Sequence, residues 1–386
     1  MITLAPTHYE VLGVGSSADT ETIRKAYRRL AHKHHPDVSD SPDAHDDMTR
    51  INDAFETLMD EARREEYDAM LAGAVRETIQ EHSPKNPVRI KLVKRLYGHK
   101  TPVYAVSFAP DSGHLISVGF DNELIWWAET GEKSRQAKLE SGSVSVLRAF
   151  ADDKVVAAGS NESQVNVWCL DQEQVTSWRG VHEEWVSCLA ISGDGHSVAA
   201  GSIHHHLRVC DSVTGSARFS LRTENSSVTA VAFSPDGQFL ASGTADAKVA
   251  IREAKTGKWI RTIERLRSVV TAIAFSSDNR YLAVAGVDLS IRVFNLDTGQ
   301  LIKMLYGHER PIEAIAFHPN GWLFASASRD GTIGLWNAAK GIGNVRLEAS
   351  SRPISCVAFS ADGTRLAASG QDKVVRLFEV TAVMPG

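Results

Sequence analysis

Along most of the chain, apolar and polar positions alternate in short bursts that repeat. SVTAVAFSPDGQFLASGTADAKVAIRE (227–253), VVTAIAFSSDNRYLAVAGVDLSIRVFN (269–295), PIEAIAFHPNGWLFASASRDGTIGLWN (311–337) and PISCVAFSADGTRLAASGQDKVVRLFE (353–379) are copies of one unit. Phe233, Phe275, Phe317 and Phe359 recur every 42 residues, and Ile191, Ala149 and Phe108 extend the register backwards at 42, 42 and 41. In each unit Val-x-x-Val/Ile-x-Phe predicts a strand with one buried face. A turn of SPDG or HPNG type follows, where Gly or Asn tolerates the positive φ of a tight hairpin. The second strand is small and aliphatic. A turn then carries Asp121, Glu162, His204, Asp246, Asp288, Asp330 or Asp372, and six residues later a third strand ends at Trp127, Trp168, Cys210, Arg252, Phe294, Trp336 or Phe378. Seven such units predict an all-β, seven-bladed propeller over residues 88–381, one four-stranded blade per unit. The last unit lacks a fourth strand of its own. Because Leu301–His308 is echoed by Leu92–His99, the segment at about 88–96 is expected to supply it and remove the open edge.

Ahead of the repeats the apolar period becomes helical. Thr7-His8-Tyr9-Glu10 is a capping box opening a short helix over Tyr9–Leu12. Ser17 precedes a longer helix with Ile23, Tyr27, Leu30 and His34 on one face and Arg24, Lys25, Arg28, Arg29 and Lys33 between them. Ser41-Pro42 marks the start of a third helix, striped by Met48, Ile51, Phe55 and Leu58. The two longer helices should form an antiparallel hairpin, with His35-Pro36-Asp37 in its loop. The fold class expected is therefore multidomain: an all-α helical-hairpin domain at 1–70, a partly helical linker at 71–87 broken by Ser83-Pro84-Lys85-Asn86-Pro87, then the propeller.

The repeats resemble the WD-repeat family of β-propellers. Unit 6 carries the fullest signature, Gly307-His308, Asp330 and Trp336, and unit 1 keeps Gly98-His99, Asp121 and Trp127. The resemblance implies that in each set the His, the Asp, a strand hydroxyl and the Trp form a buried polar chain that locks the blade. Units 4, 5 and 7 keep only the Asp, unit 2 has Glu162 in its place and unit 3 pairs His182 with His204, so these are expected to rely on packing more than on the polar lock. It also implies partner binding at one rim, at positions that here hold Tyr104, Phe120, Trp185, Ile203, Val287, Glu313 and Arg329.

The first seventy residues resemble the J-domain of DnaJ co-chaperones, through HYEVLGV (8–14), IRKAYRRLAHKHHPD (23–37) and INDAFETLMDEARREEYD (51–68). Without the Gly/Phe-rich linker, zinc-binding repeats and client-binding domains of full-length DnaJ, the chain looks like a class C J-protein. The resemblance implies docking on a DnaK-family heat-shock ATPase and stimulation of its ATP hydrolysis. Arg24, Lys25, Arg28, Arg29 and Lys33 would meet an acidic surface there. His35, Pro36 and Asp37 would engage the junction of its nucleotide and substrate domains, Asp37 pairing with a partner Arg.

Charge agrees with a docking face. Residues 1–75 hold 8 Lys/Arg against 15 Asp/Glu, yet residues 22–34 hold five cations and no acid. The whole chain carries a net charge of -5, which disfavours nucleic acid as a partner. No apolar run suits a membrane helix, and four cysteines without a CxxC pair point to a reduced, cytoplasmic setting. His204-His205-His206, beside which the repeat register sets His182, reads as a decayed blade lock rather than a metal site, since no carboxylate or cysteine completes it. No GxxxxGK[ST], GxSxG or HExxH motif occurs, so neither catalysis, a cofactor nor a metal is expected. The function expected is a DnaJ-type co-chaperone whose propeller binds a client or partner protein. The alternative is a non-catalytic scaffold in which the helical hairpin is only an assembly module.

Overall fold

The computed structural model describes residues 8–15, 18–34, 44–60, 64, 67–68, 88–139, 143–150, 154–161, 164–171, 174–181, 185–223, 226–264 and 266–382. The chain divides into two compact units, Met1–Asn86 and Pro87–Gly386. No described helix is long and apolar enough to cross a membrane.

In the first unit, α1 (His8–Leu12), α2 (Thr20–His34) and α3 (Ala44–Met59) pack around Tyr9, Leu12, Ile23, Ala26, Ile51, Ala54 and Leu58. The cap of α2 is Asp19, whose carboxylate accepts the Thr22 amide at 2.8 Å. Thr7, Ser17, Ser41 and Pro42, which the sequence offers as start signals, lie outside the described residues. Side chains beyond α3 clasp α1. The His8 ring stacks on Tyr67 at 4.4 Å, and its amide donates to Tyr67 Oη. Tyr9 Oη donates to Asp68 at 2.6 Å and accepts from Arg64 Nε, while Arg64 Nη2 donates to the Ala18 carbonyl.

Burial pushes the His8 imidazole down from 6.5 to about 4, so the folded unit resists its protonation. The stability tied to that shift is fully present above pH 6.5 and is lost as pH falls through about 4. Denaturant titrations of the helical signal at stepped pH should show this loss, and His8→Phe should flatten it between those two values.

In the second unit, the described strands pair into seven four-stranded antiparallel sheets. Blade 1 is Val103–Phe108, Leu115–Gly119, Glu123–Trp127 and Lys133–Lys138, and each later blade repeats that order. Blade 7 takes three strands from the end of the chain, Ile354–Phe359, Arg365–Gly370 and Val374–Ala382. Its outer strand is Val88–Tyr97, antiparallel to the last, with Val88 opposite Ala382 and Tyr97 opposite Val374. The ring is thus closed by hydrogen bonds between the two ends of the propeller rather than by a covalent link. Leu96, Val103, Phe108, Trp127, Ala367 and Val375 form one buried cluster across the seam between blades 7 and 1. Each fully buried aliphatic or aromatic side chain of this kind contributes about 1.5–3 kcal/mol. Second strands such as Leu323–Ser328 are buried at every position, which explains their small residues: they sit between neighbours on both faces.

Polar chains differ from blade to blade. In blade 6, Trp336 Nε1 donates to Ser326 Oγ at 2.7 Å, and Ser326 Oγ lies 2.6 Å from His308 Nε2. His308 Nδ1 lies 3.1 Å from Asp330 Oδ2, and Asp330 also accepts from the Thr332 hydroxyl and the Glu309 amide. Burial alone would raise the Asp330 carboxyl, but those donors outweigh it and hold it well below the usual carboxylate range. At position 334 in this blade a Cβ would lie 2.6 Å from the Trp336 indole, so Gly suits it.

Blade 1 stops short of this. Trp127 and His99 both reach Ser117 Oγ at 2.7 Å, but His99 Nδ1 is buried without a hydrogen-bond partner. Asp121 instead accepts the Glu123 amide, and its own amide donates to Thr101. The difference traces to one position: Thr332 in blade 6 steadies the carboxylate beside the histidine, and Glu123 stands there in blade 1.

Blades 5 and 7 correct the expectation that they rely on packing. Asp288 pairs with Arg292 Nη2 at 2.5 Å, and Asp372 pairs with Arg376 and accepts from Ser350 Oγ. Arg292 and Arg376 are themselves buried, at 3% and 5% exposed. Each arginine occupies the place of Gly334, and each of these blades ends its third strand in Phe rather than Trp. In these two blades a buried guanidinium, not an indole, holds the turn Asp.

Candidate functional site

Two surfaces carry the residues that the sequence singles out. On α2 the apolar face is spent on α3: Ile23 and Ala26 are buried, Tyr27 stacks on Phe55 at 4.0 Å, and Tyr27 Oη donates to Asn52 at 3.0 Å. Helical geometry therefore turns the intervening positions outward, and Arg24, Lys25, Arg28 and Arg29 are all exposed. Lys25 makes an i,i+4 pair with Glu21 at 2.9 Å, both side chains three-quarters exposed, which in water is worth little. The face is thus a set of extended cations held on a rigid rod. The Lys33 side chain, and His35, Pro36 and Asp37 entirely, lie outside the described residues.

The second surface is one end of the propeller. In blade after blade the residue before the turn Asp, or before His204 in blade 3, donates its amide to the carbonyl of the residue before the first strand: Phe120 to Pro102, Ile203 to Trp185, Val287 to Val269, Arg329 to Pro311 and Gln371 to Pro353. These bonds bring the two loops of each blade together at the same end. Phe120 is 54% exposed and Trp185 58%, with Ile203 and Val287 also exposed. Tyr104 is half-buried and packs edge-on to Phe120 at 5.9 Å between ring centroids. Glu313 and Arg329 form an exposed ion pair with each other. Large aromatic groups held in water by rigid loops are interface material, since packing gains nothing from them there.

Of the histidine run, His204 is exposed while His205 and His206 are half-buried; His182 and Glu162 lie outside the described residues. Among the described residues no group of three or more His, Cys, Asp or Glu is placed to hold a metal ion. Burial pushes the Cys188 thiol up to about 12, far from a reactive thiolate.

Comparison with known proteins divides the chain in the same two parts. The DnaJ domain family matches residues 7–68. The family described as "WD domain, G-beta repeat" matches 90–128, 173–211, 257–295, 299–337 and 344–379, and the anaphase-promoting complex subunit 4 WD40 domain matches 219–270. Among curated relatives, "Chaperone protein DnaJ" of Mycoplasma capricolum is 52% identical over 61 residues, 16% of each chain. The protein of that name from Methanothermobacter thermautotrophicus shows the same figures. "Curved DNA-binding protein" of Shigella dysenteriae is 51% identical over 63 residues, 16% of this chain and 21% of its own. The chain thus spans about a fifth or less of these relatives.

Proposed function

Because the chain joins a DnaJ domain to a seven-bladed WD-repeat propeller, we propose that it is a co-chaperone that docks on a DnaK-family heat-shock ATPase and stimulates its ATP hydrolysis. In this reading the propeller binds a client or partner protein at its rim and so decides where the ATPase is put to work. Residues 1–70 serve the ATPase, 71–87 connect, and 88–381 select. The observation that carries the reading is the DnaJ match over residues 7–68, in which α2 turns four cations into solvent. Two of the relatives are named as DnaJ chaperones, each matched over 61 residues.

The mechanism is docking and placement, with catalysis left to the ATPase. Arg24, Lys25, Arg28, Arg29 and Lys33 attract an acidic surface and raise the encounter rate. His35, Pro36 and Asp37 then engage the junction between the nucleotide and substrate domains, where Asp37 pairs with an arginine of the ATPase. Tyr104, Phe120, Trp185, Ile203, Val287, Glu313 and Arg329 bind the partner at the rim.

Reversing Arg24 and Arg28 to Glu should slow association with a DnaK-type ATPase about ten-fold or more at low salt, with a smaller effect at high salt where charges are screened. Stopped-flow association over a salt series measures this. Equal rates for variant and parent at low salt would remove α2 from the docking surface.

A further inference from the structure

Around the rim, cations and apolar groups are segregated. Arg267 on blade 5, Arg310 and Arg329 on blade 6, Arg352 and Lys373 on blade 7 and Lys100 on blade 1 are all exposed in the loops that meet at this end. Their arc adjoins the Tyr104–Phe120 pair of blade 1. Of the carboxylates in these loops, Asp288 is turned to Arg292, Asp330 to His308, Asp372 to Arg376 and Glu309 to Arg346, while Glu264 shares its loop with Arg267 and Asp121 follows Phe120. On blades 5 to 7 and 1 the described loops therefore set Arg267, Arg352, Lys373 and Lys100 in solvent beside an aromatic step.

Resting on the reading of the rim as the partner-binding surface, we infer that its ligand is an acidic peptide segment of a partner protein, built around one aromatic or large aliphatic anchor. The anchor packs on Tyr104 and Phe120, and the flanking carboxylates lie over the arginines of blades 6 and 7. Guanidinium forks suit carboxylates, which they grip with two parallel hydrogen bonds. A nucleic acid fits less well. Glu313 sits inside the arc beside Arg329, where it would repel a continuous phosphate backbone, whereas a peptide can set a neutral residue opposite it.

The test is to pan a phage-displayed random linear peptide library on the full chain, with a fluorescent oligouridine as a second probe. Enriched peptides should be acidic around a single aromatic or aliphatic residue. Arg352→Glu with Lys373→Glu, and separately Tyr104→Ala, should each weaken a synthetic copy of the leading peptide about ten-fold or more. Thermal unfolding that matches the parent shows these surface variants to be folded. Neutral or basic peptides that are lost on Phe120→Ala and Trp185→Ala would overturn the acidic ligand while leaving rim docking intact. Absence of any enrichment that these variants abolish would overturn both. Oligouridine that binds the arc more tightly than the peptides would also overturn the inference.

Discussion

Substituting His35 by Gln is expected to return ATP hydrolysis by a DnaK-type ATPase to its unstimulated rate while leaving capture of the propeller's partner unchanged. The expectation follows from the division of labour between the two units. Attraction by the α2 cations is long-ranged and spread over several side chains, so losing one of them costs a part of the on-rate. The His35-Pro36-Asp37 triplet has no such redundancy. Proline fixes its own φ and restricts the residue before it. Glutamine keeps a polar group but not the imidazole. Binding of the ATPase by α2 should persist in the variant, and steady-state hydrolysis alongside a pull-down of the propeller's partner separates the two effects. Stimulation undiminished in His35→Gln would show that the triplet is not the working element.

The largest stability effect should come from His308→Ala, which is expected to cost about 3–5 kcal/mol, the range for a buried pair that loses one member. His308 and Asp330 side chains are 1% and 5% exposed, so water cannot replace the missing donor. Ser326 would keep only its bond from Trp336, and the indole would lose its anchor to the loop. The matching change in blade 1, His99→Ala, should cost about 1–2 kcal/mol, because its Nδ1 already lacks a partner and only the bond to Ser117 and some packing are lost. Hydrogen exchange of the blade 6 and blade 1 amides in the two variants measures the contrast directly. Equal loss in both blades would mean that the carboxylate contributes nothing to the lock. Acid should act in the same sense. Burial holds His99 down at about 4, so its contribution is complete above pH 6.5 and fades toward pH 4.

Much of the architecture can be read from residue order, because a propeller repeats one physical problem seven times. The 42-residue period places Phe108, Ala149, Ile191, Phe233, Phe275, Phe317 and Phe359 at the ends of the innermost strands, where the structure has them. The exposed Phe120 and Trp185 follow from the same register. The arginine locks of blades 5 and 7 escape a search for His and Trp, although their trace is plain once seen: Asp288 and Arg292, Asp372 and Arg376, four residues apart on a turn and the strand after it. The unfilled Nδ1 of His99 depends on whether Thr or Glu follows the turn, a difference that the repeat signature ignores. The cationic arc was also beyond pattern reading. Arg267, Arg310 and Lys373 sit at different offsets in their repeats and share an end only because the two loops of each blade are hydrogen-bonded together. On α2 the helical period separates Ile23, Tyr27 and Leu30 from Arg24, Lys25, Arg28 and Arg29, and these residues are where the spacing sets them.

In the proposed function His35, Pro36 and Asp37 of one protein accelerate a chemical step on another. Single-turnover hydrolysis of ATP preloaded on a DnaK-type ATPase, with and without the full chain, tests it most directly. The account predicts faster nucleotide cleavage when the chain is added. A cleavage rate that stays the same at saturating concentrations of the chain would contradict it.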